Sequence, residues 1–198
     1  MPIILKEEVG PQVPTGAHIA ICYRIAYIGT QPDSGFGESR KLVIFWELPH
    51  ERMKFDGVEK PMGLSRIYSL GSSGGMHKKS GLRLDLAAWR GRDFTAEELQ
   101  KFELKVILGK ACQVQVEHNK EGRAKVSRVV GIPKGMTIPP VFNPLVEYSI
   151  DDGKNEVYQS LPEWVKKVCD QCLEWNGGKE LPKIEHEAPP TDEDDVPF

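Results

Sequence analysis

The sequence predicts a mainly β protein with one helical insertion, and three observations carry that prediction. Runs of β-branched and aromatic residues alternate with period two, the period lengthens to that of a helix within residues 80–102 and again at 161–178, and turn residues separate the runs. In HIAICYRIAYIGT (18–30), Ile19, Ile21, Tyr23, Ile25 and Tyr27 share one face, and His18, Ala20, Cys22, Arg24 and Ala26 the other. QPDSGFGESR (31–40) is turn chemistry. KLVIFWEL (41–48) is a second strand, with Leu42, Ile44, Trp46 and Leu48 on one side and Lys41, Val43, Phe45 and Glu47 on the other. Pro49 is expected to end it, because proline removes a ladder donor. Residues 49–63 are polar and turn-rich, with room for a short hairpin extension, and LSRIYSL (64–70) is a third strand.

SGLRLDLAAWRG (80–91) then reads as a helix, with Leu82, Leu86 and Trp89 at helical spacing, Ser80 as N-cap and Gly91 as the stop. Thr95 and Glu98 form a capping-box pattern that opens a second helical piece. ACQVQVEHN (111–119) and GRAKVSRVVGIP (122–133) are the fourth and fifth strands, joined by the turn signal NKEG. Strand, strand, strand, helix, strand, strand is the order of an OB-fold, a five-stranded Greek-key barrel with a helix between strands three and four. An antiparallel α+β sheet gives the same string.

Composition sets the functional classes. The chain of 198 residues is 39% hydrophobic and 28% charged, which suits one main core plus extra chain. No apolar run is long enough to span a bilayer. MPIILKEEVG at the N-terminus lacks a basic start and a small-residue cleavage site, so no signal peptide is expected. Four scattered cysteines fit reduced thiols in a cytoplasm rather than a disulfide framework. The net charge of -3 divides unevenly. Residues 1–140 hold 21 Lys+Arg against 15 Asp+Glu, whereas residues 141–198 hold 5 against 14. A basic body with an acidic end suggests a nucleic-acid partner; a solvated surface with an ordinary acidic end is the plainer alternative.

Three segments follow from this: an OB-fold domain at 1–140, a connector and C-terminal helix at 141–178, and a disordered acidic tail at 179–198. The connector is marked by PKGMTIPPVFNP, and the helix by LPEWVKKVCDQCLEWNGG (161–178), with Trp164, Val165, Val168, Cys172 and Trp175 on one broad face. The tail is rich in proline and acid and poor in core-forming groups.

A single-strand site needs cations for phosphates and aromatic faces for bases. Lys41 and Phe45 on the second strand, and Arg66 and Tyr68 on the third, are the platform candidates, with barrel core as the competing role for both rings. The densest cationic stretch holds Lys78, Lys79, Arg83, Arg90 and Arg92 beside GSSGG. Lys78 and Lys79 precede a helix N-terminus, where positive charge opposes the macrodipole, so helix stability does not explain them. Arg24 and Arg128 are further candidates from the first and fifth strands. GSSGG lacks the spacing of a phosphate-binding P-loop. The Cys169/Cys172 pair has only His186 as a nearby extra ligand and reads as two apolar helix residues rather than a zinc site. No cofactor, metal or nucleophile–base pair is signalled, and no enzymatic activity is expected.

The chain closes on Asp192, Glu193, Asp194, Asp195, Val196, Pro197 and Phe198. A terminal phenylalanine offers a ring and a carboxylate on one residue, which an apolar pocket rimmed by Arg or Lys can capture together. An acidic solubilising tail accounts for the acids but not for Val-Pro-Phe. The DEDDVPF end resembles the acidic tip of bacterial single-stranded DNA-binding proteins, which follows a disordered linker and ends Asp-Asp-Ile-Pro-Phe or close to it. The resemblance covers about the last seven residues, with Val196 in place of isoleucine. KLVIFWEL and LRLDLAAWRGRDFTAEE look more like single-stranded DNA-binding proteins encoded by bacteriophages. The resemblance implies binding to single-stranded DNA during replication, recombination and repair. It also implies recruitment of host replication, recombination and repair enzymes by the tip, and a location in the bacterial cytoplasm. The bacterial proteins with this tip often assemble, so a homo-oligomer is among the expectations, although their assembling surface lies in the body, where the resemblance stops. The rival reading is a replication or recombination adaptor whose barrel binds protein instead of DNA.

Overall fold

The computed structural model describes residues 10–33, 37–71 and 75–177. Among the described residues six strands form one sheet: β1 (Gly16–Asp33), β2 (Gly37–Phe55), β3 (Val58–Ser69), β4 (Ala111–His118), β5 (Ala124–Val130) and β6 (Val146–Ser149). The order is β3-β2-β1-β4-β5, with antiparallel neighbours, and β6 adds in parallel to β1. Between β3 and β4 lie α1 (Gly81–Arg90), α2 (Ala96–Lys101) and a 3-10 turn at Leu104–Ile107. After β6 come α3 (Glu156–Gln159) and α4 (Glu163–Asp170).

The predicted caps are in place. Ser80 accepts from the Arg83 N–H at the start of α1, Gly91 ends the helix in the left-handed region at φ 75°, and Thr95 and Glu98 complete a capping box on α2. Among the described residues no hydrogen-bonded ladder joins β3 to β5, so the sheet is open at that edge. α1 sits across the opening. The Gly131 N–H donates to the Ala88 carbonyl, and the Trp89 indole N–H donates to the Ala111 carbonyl at 2.8 Å.

Pro49 does not end β2. The strand passes it through a register shift between Leu48 and Arg52 and runs on to Phe55, where Asp56 and Gly57 turn the chain into β3. A bulge relieves the missing donor, because it takes the proline out of the ladder. Asp56 at φ 49° and Gly57 at φ 79° supply the backbone that a two-residue hairpin turn demands. The result is a projecting β2–β3 arm. A second bulge, at Tyr23 between Cys22 and Arg24, reverses the parity of β1 halfway along. The single alternation expected through 18–30 is therefore broken: Ala20, Cys22 and Ile25 face one core, and Ala26 and Ile28 face another.

Two cores result. The first lies inside the curve of the sheet under α1 and holds Trp46, Leu48, Ile44, Leu42, Val114, Val116, Leu82 and Leu86. The second lies on the outer face of β1–β2, where Val43 and Phe45 meet Tyr148, Ile150, Tyr158, Leu161, Val165, Cys169 and Cys172. The stretch from Tyr148 to Trp175 is thus packed onto the outer face of the sheet. The helix expected across 161–178 is shorter, because α4 ends at Asp170, and the turns that follow carry Leu173 and Glu174 back to β1. The Glu174 carboxylate accepts from the Thr30 N–H and hydroxyl at 2.8–3.0 Å. Among the described residues no helix is long and apolar enough to cross a membrane.

All four cysteines are buried and free. Burial pushes the Cys22 and Cys169 thiols up to about 12 and raises those of Cys112 and Cys172, because a thiolate loses its hydration inside the core. A thiol reagent at about pH 8 should therefore leave the native protein unmodified and label the cysteines only after unfolding, read by mass spectrometry. Rapid labelling of the native chain would contradict the packing of both cores.

Candidate nucleic-acid interface

The basic stretch around α1 divides into spent and unspent charge. Arg83 is buried and forks onto Asp93, with Nε and Nη2 donating at 2.9 and 3.0 Å. That fork, helped by the Phe94 N–H, holds the Asp93 carboxyl below its usual range, and the field of Lys78 adds to it. Arg90 and Arg92 both donate to Glu98, at 2.7 Å and at 2.6 and 2.9 Å, and Arg90 also lies 4.2 Å from the Phe94 ring centroid. The Arg92 hydrogen bonds, the Thr95 N–H and the Arg90 hydrogen bond lower the Glu98 carboxyl to about 2. These three arginines fasten the α1–α2 turn, and their guanidinium groups already meet carboxylates. Lys78 and Lys79 differ. Both are exposed, and among the described residues neither has a hydrogen bond or ion pair.

Arg66 and Tyr68 meet on a single carboxylate. Asp85 Oδ2 accepts from Arg66 Nη1 and from the Tyr68 hydroxyl, both at 2.8 Å, and Arg66 Nη1 also donates to the Ser127 carbonyl of β5 at 2.9 Å. This network spans β3, α1 and β5 at the open edge of the sheet. Tyr68 is 3% exposed, and burial, then the Asp85 charge, raises its hydroxyl pKa. Its ring is core and offers no face to a base. Arg66 is held for the seam.

Phe45 also departs from its expected role. Its parity is as the sequence predicts, outward and opposite to the buried Trp46. The C-terminal segment covers that outer face, however, so Phe45 is only 5% exposed and packs against Tyr23 and Trp164. A base cannot reach it in this conformation. Arg24 stands opposite Phe45 in the β1–β2 register, its guanidinium 5.8 Å from that ring, and donates to the Ser160 carbonyl at 3.2 Å. Lys41 lies half-buried at the other end of the same face, opposite Ser69. Arg128 is exposed on β5, opposite Gln115.

The hairpin extension for which residues 49–63 left room is the β2–β3 arm, which carries Arg52, Lys54 and Lys60 with Phe55 and Val58 exposed at its tip. The residue-by-residue reading missed the burial of Glu47, whose carboxylate accepts from the Phe142 and Asn143 N–H groups and from Asn143 Nδ2 at 2.6–2.8 Å. That clamp fixes the proline-rich connector to β2.

Among the described residues no group of three His, Cys, Asp or Glu is arranged to hold a metal ion. Cys169 and Cys172 are buried in the outer core, and the tip residues Asp192 to Phe198 lie outside the described residues. The folded body therefore offers exposed cations around a β-rich scaffold, with its two expected stacking rings packed away. Comparison of the chain with protein-family models and with curated proteins finds no match.

Proposed function

We propose that this protein is a single-stranded DNA-binding protein of bacteriophage type. It coats exposed strands with little sequence preference, catalyses no reaction, and presents its acidic C-terminal tip to replication, recombination and repair proteins. The strand order supports an OB-type barrel as the scaffold. β1-β2-β3 on one side and β1-β4-β5 on the other leave β3 and β5 facing across a gap that α1 and Arg66 bridge. The observation that carries the reading is the charge left after folding. Lys78 and Lys79 stay exposed beside a helix start that they disfavour, with Arg128 on β5 and Lys54 and Lys60 on the arm also open to solvent.

One observation favours the adaptor reading instead: Phe45, the outward ring of β2 expected in a platform on strands two and three, is covered by the chain's own C-terminal segment. Fluorescence anisotropy with labelled oligothymidine separates the two. The wild type should bind, and Lys78→Ala/Lys79→Ala should bind more weakly. The log-log salt slope should flatten by about 1.4 for the two phosphates released, at roughly 0.7 each. An unchanged slope would remove these lysines from the interface.

A further inference from the structure

Trp164 is the exposed aromatic that the covered face still presents. α4 turns Val165 and Cys169 into the outer core, yet Trp164 keeps 40% of its surface in solvent. Its indole is seated on Phe45, centroid to centroid 6.0 Å with the planes 40° apart, and Phe45 in turn rests on Tyr23. Arg24 reaches the same buried ring from β1. One of its N–H groups is given to the Ser160 carbonyl, and a guanidinium carries five. On the far side of Phe45 the outer face continues to its register partner Ser65 and to the exposed Ile67 of β3. Lys41 is four residues along the same strand, about 13 Å away at the usual strand rise.

An open π-face and a cation held beside it are the two elements of a sequence-tolerant single-strand contact. An indole that served only to cover Phe45 would gain by sinking further into the apolar layer. Glu163 bonds Lys166 at 2.5 Å, so the acid next to Trp164 is already compensated, and Lys167 remains exposed. We propose that Trp164, from the C-terminal segment and not from the barrel strands, is the platform on which a base of single-stranded DNA stacks, with Arg24 meeting a neighbouring phosphate. This rests on the single-strand-binding reading above. It assigns the segment after residue 145 to the interface itself.

The test uses the full chain and two probes of equal length, labelled oligothymidine and a labelled abasic phosphodiester. The wild type should prefer oligothymidine. Trp164→Leu should weaken oligothymidine binding about tenfold and leave the abasic probe almost unaffected, and Trp164→Phe should recover part of the loss. Equal loss on both probes, or no loss on either, would overturn the proposal while leaving the single-strand reading intact. Failure of the wild type to bind oligothymidine would overturn that reading and the proposal together. If the leucine variant does not fold, tryptophan emission of Trp164→Phe decides. Of the three tryptophans that remain, Trp46 is fully buried and Trp89 and Trp175 are half-buried, so quenching by oligothymidine should drop in the variant, and undiminished quenching would sink the assignment.

Discussion

Gly29→Ala should destabilise the protein by about 3 kcal/mol and loosen the C-terminal segment from the sheet. Gly29 adopts φ 75° in β1 directly beneath the returning chain. An added Cβ would stand 2.7 Å from Ile150 Cδ1, 2.8 Å from Glu174 Oε2 and 2.9 Å from Cys172 Cβ. The left-handed backbone costs a non-glycine residue about 1–2 kcal/mol, and forcing a methyl into packed surroundings about 1–3 more. The Glu174 carboxylate that would have to move is the one that holds Thr30. For a chain of this size the melting temperature should fall by about 6–12 °C. Gly91→Ala is the control, since it shares the positive φ of 75° in the left-handed region but has nothing within 4 Å of the new Cβ. Its cost should stop at the backbone penalty. Equal melting temperatures for the two variants would mean that the C-terminal segment is not seated as described.

The second large effect belongs to the seam. Asp85→Ala should cost about 3–5 kcal/mol in a urea melt, because it strands a partly buried guanidinium and a buried hydroxyl together. The Arg66 and Tyr68 side chains both depend on Oδ2 of this one carboxylate, and Arg66 carries the tie to Ser127. Asp85→Asn keeps an acceptor for one of the two donors and should recover part of the loss. Since β3 and β5 share no ladder, nothing in the sheet itself replaces the tie. A near-neutral Asp85→Ala would show that α1 packing alone holds the edges.

Local rules were legible in the sequence because they are written in adjacent residues. Ser80, Gly91, Thr95 and Glu98 set the helix ends they were expected to set, and the alternation of 41–48 sorted Trp46 from Phe45 correctly. What alternation does not say is whether an outward face meets water. Phe45 is covered by residues more than a hundred positions later, and no pattern within its own strand encodes that. The ion pairs of two candidate arginines were hidden for the same reason: Arg83 is matched by Asp93 and Arg90 by Glu98, pairings set by how α1 and α2 turn on each other. The bulges at Tyr23 and after Leu48 each rest on one unpaired stretch of backbone, which composition disguises well. β6 is four residues long and pairs in parallel, so it carries too short a pattern to read.

The central claim is that the basic body holds unpaired DNA by its phosphates. Anisotropy of labelled oligothymidine, titrated with the intact chain at low and at high salt, tests it most directly. The account predicts saturable binding at low salt that weakens steeply as salt rises, by roughly 0.7 log unit per log unit of salt for each phosphate engaged. No change in anisotropy at low salt, or binding indifferent to salt, would contradict it.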